Sequence, residues 1–254
     1  MTASIAHIFR HPIKSIGVEE LDHAPLTRGR VLPFDRHWAV AHQGAKFLDM
    51  PARQPQGWAS KMNFLRGVAG HPLMAVTAAL DDATGSVTLR HPERAEITLH
   101  PQEDEAALLA WLAPLWPDRF PPASHVVQVP GCAMTDDKEP FISLLSLASL
   151  RLLSSHLGAP LSPLRFRGNL WVEGWEAFSE FDLIGRQIRL GDALLDVAEP
   201  ITRCRATCVN PATGIEDADT LAALKAGWGH QDFGLFCRVV ESGTITRGTP
   251  VEIL

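Results

Sequence analysis

Cysteine is scarce in this chain, with four in 254 residues at Cys132, Cys204, Cys208 and Cys237. None forms a C-x-x-C pair, and the spacing of Cys204 and Cys208 does not fit a ferredoxin-type cluster. So few thiols in so long a chain exclude a disulfide scaffold. The H-E-x-x-H zinc pattern is also missing. No run approaches the ~18 apolar residues of a membrane span. The opening Met1-Thr2-Ala3-Ser4-Ile5-Ala6-His7 lacks both the charged and the apolar region of a signal peptide. These absences lead us to expect a cytoplasmic protein without a membrane span. The formal net charge of −6 lacks the basic footprint that non-specific nucleic-acid binding needs.

What the chain does have is apolar content, 46% hydrophobic residues, enough to bury a sizeable core in one large or two small domains. Its 19 glycines and 19 prolines break it into short segments. Strand candidates are 5–10, 37–42, 73–78, 86–90, 96–100, 126–129, 170–173, 186–190, 194–197, 236–240 and 250–254. Gly191-Asp192 fits a two-residue hairpin turn. Three helices are expected, over 102–116, over 143–157 before Gly158, and over 219–226, capped by Asp219 and ended by Gly227. The polar, proline-rich stretch 117–140 marks a joint, and we expect domains at 1–120 and 121–254. The pattern is that of an α+β, β-rich protein, with a few helices packed on barrels.

Arg203-Cys204-Arg205 is the most informative short stretch. Two flanking guanidiniums favour a thiolate, which is a soft metal ligand, although a buried structural thiol is the alternative. Lys14 and Ser15, after the first strand, offer a point charge and a hydroxyl to a phosphate, or a solvated loop. Asp35-Arg36 is either an internal pair or an arginine held by aspartate for an anion. Arg28 and Arg30 stand near enough in sequence to enlarge that patch. Arg167 and Asn169, two residues apart at a strand entry, offer guanidinium and amide donors to one ligand. His7 and His11 read as ordinary surface or turn histidines.

Taken in order, these pieces resemble the MOSC family, named for molybdenum cofactor sulfurase C-termini, together with the β-barrel domain that precedes it in many members. His11-Pro12-Ile13-Lys14-Ser15 is similar to the family's "Y-P-V-K-S", and Asp35-Arg36-His37-Trp38 to its "D-R-x-W". Phe166-Arg167-Gly168-Asn169 resembles "F-R-P-N". Arg203-Cys204, Thr207, Pro211 and Gly214 resemble "R-C-x-x-T-T-V-D-P-x-T-G", and 233–251 matches the closing strands. The resemblance covers nearly the whole chain. It implies a MOSC β-barrel, a smaller N-terminal β-barrel-like domain and one cofactor site shared between them.

For function, the resemblance implies a molybdenum-pterin (molybdopterin) cofactor and an oxidoreductase that reduces N-hydroxylated compounds, as amidoxime-reducing members do. Carried over by position, Cys204 is the metal ligand. Lys14, Ser15, Arg36 and Arg167 hold the pterin phosphate side, Asn169 contacts the pterin, Arg203 also binds the cofactor, and Asp137 is a carboxylate near the metal. A small-molecule substrate and a separate electron donor, a ferredoxin or flavoprotein reductase, are the implied partners. With Cys204 committed, three cysteines are too few for an iron–sulfur cluster. A cofactor carrier or sulfur-transfer accessory uses the same clamp without turnover, and a regulatory or scaffolding barrel leaves it empty. The departures fall at Gly168 for Pro, Cys208 for Thr, Asn210 for Asp, and Lys138-Glu139 inside "D-T-S-P-F". An extended segment puts Cys208 about 13 Å from Cys204, whereas a bent one brings the two sulfurs together.

Overall fold

The computed structural model describes residues 3–50 and 52–254. The first half runs β1 (Ser4–Arg10), β2 (Glu19–Leu21), β3 (His23–Leu26), β4 (Trp38–His42), β5 (Thr77–Leu80), β6 (Val87–His91), β7 (Arg94–Leu99), α1 (Glu105–Leu112) and β8 (Ala123–Gln128). The second runs β9 (Ile142–Ser146), α2 (Leu147–Leu157), β10 (Leu170–Glu173), β11 (Gln187–Leu190), β12 (Ala193–Thr202), α3 (Thr220–Trp228), β13 (Asp232–Glu241), β14 (Gly243–Thr246) and β15 (Val251–Ile253). The protein is thus strand-rich, as expected. None of the described helices is long and apolar enough to cross a membrane.

Alternation of apolar and polar residues builds the main sheet, because successive strand side chains point to opposite faces. Its order is β15-β11-β12-β13-β9-β10-β1-β2. Ser4 bridges Pro250, and the Ile5 amide bonds the Thr249 carbonyl at 2.9 Å, so the β1 end meets the β15 end and the sheet curls into a barrel. Ile5, Ile8, Ile142, Leu144, Leu170, Leu195, Leu235 and Cys237 fill its inside. Trp171, Phe233, Leu145 and Leu153 form a separate cluster under α2 and α3. The first half has its own core, with Trp38, Leu73, Val76, Leu89, Leu112 and Trp116 around the β5-β6-β7 sheet and the β4-β8 pair. Arg10 ties β1 to this half. Its buried guanidinium takes Glu19 at 2.7 Å and both oxygens of Asp82 at 3.0 and 2.7 Å.

Several expectations hold in detail. Gly191, at φ 58°, turns β11 into β12 with Leu190 opposite Ala193. Asp219 caps α3 through the Ala222 amide at 3.0 Å. Others need correction. Residues 143–146 are not helix but the buried strand β9, and Ser146 then caps α2 by accepting from the Ser149 amide. Buried on both faces, β9 shows no alternation to distinguish it from the helix that follows. Residues 71–75 form a 3-10 turn, so the expected strand at 73–78 begins only at Thr77. Gly227 lies within α3 against His156, and Gly229, at φ 78°, ends the helix. Strands β2 and β3 were too short to show a period.

Gly214 joins the halves. It sits at φ +69°, and a Cβ there would lie 2.7 Å from the Pro72 Cα. Backbone meets backbone, so no side-chain rotation relieves the clash. Gly214→Ala should therefore destabilise the protein by about 3 kcal/mol in a denaturant titration, combining left-handed strain with overpacking.

Candidate functional site

The outer face of the barrel carries the site. Ile142 and Leu144 point inside the barrel, so Ser143 points out, and likewise Phe236 lies between the inward Leu235 and Cys237. Register sets Glu199 opposite Phe236, and Phe236 opposite Ser143. Ser143 then meets Asn169, one residue before the Leu170–Leu144 pair. This row of four floors a cavity of about 510 Å³ that the first half of the chain helps to enclose. Lys14, Ser15, Arg36, Asp137, Arg167, Asn169, Arg203 and Cys204 all line it. The fold therefore brings these eight residues, though not every one singled out from sequence, into one space.

Three of these residues sit in the left-handed backbone region that side chains with a Cβ rarely adopt: Ser15 at φ 63°, Arg36 at 49° and Arg167 at 47°. Such strain persists only where the surroundings impose it, and it clusters at functional sites. Here tight turns after β1, before β4 and before β10 aim basic and hydroxyl side chains into one space. Arg36 is fixed twice. It pairs with Asp35, and its Nη2 donates to the Arg167 carbonyl at 2.7 Å. Asp35 is buried and also accepts the His11 amide at 2.8 Å. Burial opposes its ionisation, yet Arg36 and the His11 contacts hold its carboxyl below the usual carboxylate range. Asp35–Arg36 is therefore an internal pair and a cavity-lining cation at once.

Arg203 is held by a bulge. Gly234, at φ +81°, lets β13 turn Phe233 outward while Leu235 stays in the barrel. The Phe233 carbonyl then accepts from Arg203 Nε at 2.7 Å, and the Phe166 carbonyl from Nη1 at 2.9 Å. Nη2 is buried with no partner among the described residues. Burial pulls both Arg203 and Arg167 down to about 9, with the Arg36 guanidinium adding repulsion, and both remain cationic at neutral pH. Lys14 is buried, which lowers its pKa, and its Nζ donates to Asp136 at 2.5 Å. Lys61 reaches the same carboxylate at 3.3 Å.

Several readings change. Cys204 is exposed at the cavity, but Arg205 turns away from it to pair with Glu216 and Asp219. One guanidinium of the supposed pair, that of Arg203, stands by the thiol. Residues 205–208 bend into a 3-10 turn. The bend does not bring the sulfurs into one site, because Cys208 is fully buried with Sγ 3.5 Å from Thr220 Oγ1. His11 is no surface histidine. It is fully buried, both ring nitrogens lack hydrogen bonds, and Nδ1 lies 3.4 Å from Asp35. Arg28 and Arg30 do not line the cavity, and Arg30 bonds the Gly131 carbonyl instead.

Asn169 lines the cavity, but its amide is engaged in structure. Oδ1 accepts from the Ser143 amide and hydroxyl, and Nδ2 donates to the Phe9 carbonyl at 3.2 Å. Asp137 Oδ1 accepts the Glu139 amide at 2.8 Å. A Cβ at Gly168 would press on the buried Leu145 side chain. Sequence reading missed Lys61, Arg66, Asp136 and Glu199, all of which line the cavity. Lys61 and Arg66 come from an irregular loop whose basic residues were the available signal.

The family model described as "MOSC domain" matches residues 133–252, and "MOSC N-terminal beta barrel domain" matches 2–112. Mitochondrial amidoxime-reducing component 1 of Mus musculus is 33% identical over 130 residues, which are 46% of this chain and 37% of that protein. Molybdenum cofactor sulfurase of Drosophila mojavensis is 31% identical over 105 residues, 41% of this chain and 13% of that protein. The chain thus matches about a third or less of the length of these curated relatives. Among solved structures, the YUAD protein from Bacillus subtilis aligns over 100% of this chain and 96% of its own, at 14% identity and a TM-score of 0.48.

Burial of His11, reinforced by Arg36 and Arg167, drives its pKa well below that of a free histidine. Below about pH 6.5 the unfolded chain therefore binds a proton at this position that the folded chain refuses, so stability falls with falling pH. His11→Gln should reduce that dependence between about pH 6 and pH 5 by up to ~1.4 kcal/mol per pH unit, read from denaturant titrations at each pH.

Proposed function

This chain belongs to the MOSC family, and on that premise we propose that it is a molybdenum-cofactor-dependent oxidoreductase that reduces N-hydroxylated compounds, or related N-oxides and S-oxides. The observation that carries the reading is one cavity holding an exposed thiol, Cys204, beside cations whose donors exceed their protein partners. The buried, unpartnered Nη2 of Arg203 is the plainest case, since buried polar groups without partners are rare in folded proteins. The donor set fits a pterin-dithiolene molybdenum group. Cys204 would be the soft ligand to the metal. Lys14, Ser15, Arg36, Arg167 and Arg203 would take the phosphate side, where charge-assisted bonds are strongest. Asn169 would add at most the second hydrogen of its Nδ2, its other groups being engaged.

When bound, the group supplies two-electron oxygen-atom chemistry, and the protein contributes orientation and electrostatics. Overall, the N–O bond breaks, two electrons and two protons are consumed, and oxygen leaves as water. The electrons come from a separate ferredoxin or flavoprotein reductase. The chain's own residues orient and exclude. Asp35 fixes Arg36, the Phe233 and Phe166 carbonyls fix Arg203, and the Phe141–Phe236 stack forms an apolar wall. Asp137 Oδ2, free of hydrogen bonds among the described residues, is the oxygen available to pass a proton.

The sulfurase relatives favour a second reading, a cofactor carrier or sulfur-transfer accessory. A carrier needs the basic end and the thiol but no room beyond them, whereas this cavity continues along Ser143, Phe236 and Glu199. Protein purified from a cofactor-competent host should contain molybdenum and reduce an N-hydroxylated substrate with an artificial electron donor. Tight cofactor binding without turnover would favour the carrier, and absence of molybdenum would overturn both readings. Cys204→Ala should lose the metal and essentially all activity while keeping its fold. Cys208→Thr, with Thr220 at hand for the new hydroxyl, should keep wild-type metal content. Loss of metal from a folded Cys208→Thr protein would put Cys208 in the site after all.

A further inference from the structure

The cavity is polarised. Lys14, Arg36, Arg167 and Arg203 line it, Arg36 bonding the Arg167 carbonyl, while Glu199, an exposed residue of β12, ends the cross-strand row that starts at Asn169, two residues from Arg167. Four acids line the walls, and three have at least one carboxylate oxygen engaged. Asp136 holds Lys14 and Lys61, Asp137 accepts the Glu139 amide, and Glu139 meets Arg238 at 3.4 Å. The Glu199 carboxylate makes no hydrogen bond or ion pair among the described residues. Its place in the sheet is set by register, because it is paired with Phe236 and residues directly opposite share a face. Phe236 in turn stacks on Phe141, with ring centroids 5.1 Å apart and planes 14° from parallel.

The chain already shows what such a combination binds. The Arg238 guanidinium lies 5.3 Å from the Phe141 ring centroid and is paired with Glu139. A flat cation thus rests on one member of the stack with a carboxylate at its edge, the arrangement that ring quadrupoles and Coulomb attraction together favour. Phe236 and Glu199 repeat the elements of that arrangement without an internal guanidinium to fill it.

We infer that Glu199 and the Phe141–Phe236 stack form a subsite for a flat organic cation, so that the preferred substrates carry a delocalised positive charge on a planar, conjugated body. The inference rests on reading the cavity as a substrate site and names the class of molecule it selects. Neutral molecules of the same shape gain the aromatic contact but leave Glu199 unpaired, and anions are repelled by it. The basic end works against an organic cation until an anion neutralises it. Selection for the cation therefore strengthens once the phosphate side is filled.

N-Methylquinolinium, whose charge does not titrate, and its neutral isostere 1-methylnaphthalene test this directly. Each is titrated by fluorescence into cofactor-free protein with inorganic pyrophosphate present to neutralise the basic end. The wild type should prefer the cation, and Glu199→Gln should weaken the cation about fivefold while leaving the isostere unchanged. Phe236→Leu should weaken both ligands. Glu199→Gln replaces an exposed strand residue with one of the same shape, so an unchanged thermal unfolding curve confirms its fold. Equal affinity of wild type and Glu199→Gln for the cation, wild-type preference for the isostere, or no measurable binding of the cation would overturn the inference. None of these measurements uses the cofactor. A failed turnover assay therefore leaves the subsite standing, and a failed subsite leaves the reductase reading standing.

Discussion

Charge compensation governs this structure. Four cations, Lys14, Arg36, Arg167 and Arg203, converge where burial lowers the pKa of three of them. Buried charge is costly unless it is paired or hydrogen-bonded, so the surrounding chain is organised to satisfy it. Asp35 answers Arg36, Asp136 answers Lys14, and main-chain carbonyls at Gly17, Phe166 and Phe233 answer Arg167 and Arg203. The compensation is incomplete at Arg203 Nη2. That shortfall is what an anionic ligand would complete.

The carbonyls come from distortions. A bulge at Gly234 turns one oxygen toward Arg203, and the left-handed turns at Ser15, Arg36 and Arg167 aim three loops at a common point. A regular barrel has every strand carbonyl paired in its ladder, so a site lined by main-chain acceptors needs the ladder interrupted. The regular part contributes rigidity. The Ser143–Asn169 hydrogen bonds lock β9 to β10, and the Asn169 amide reaches on to Phe9 in β1, so three strands of the floor move together.

Much of this was legible in the sequence, unevenly. Strands with one polar face are legible close to their true bounds, as β6 and β11 are, because alternation records one-sided burial. β9, buried on both faces, was read as helix, and the hallmark turn at 205–208 stayed ambiguous between extended and bent. Residue type and motif point to Lys14, Ser15, Arg36, Asp137, Arg167, Asn169, Arg203 and Cys204, which reach the cavity, and also to Arg28, Arg30 and Arg205, which do not. Their partners were not foreseen. Arg205 is drawn off by Glu216 and Asp219, His11 is buried against Asp35, and Asn169 is engaged by Ser143. Each of these depends on a residue distant in sequence.

The sequence by itself determined the secondary-structure class, the hairpin at Gly191 and the identity of the cationic residues, since these follow from residue type, local sterics and the period of apolar positions. Only the tertiary structure decided which charges meet. Barrel closure sets Glu199 in line with Phe236, Ser143 and Asn169, and the packing of Gly214 on Pro72 seats the cysteine-bearing loop against the first half of the chain. Coulomb and hydrogen-bond energies depend on distance and burial. Neither quantity exists until the strands are paired and the loops closed over them.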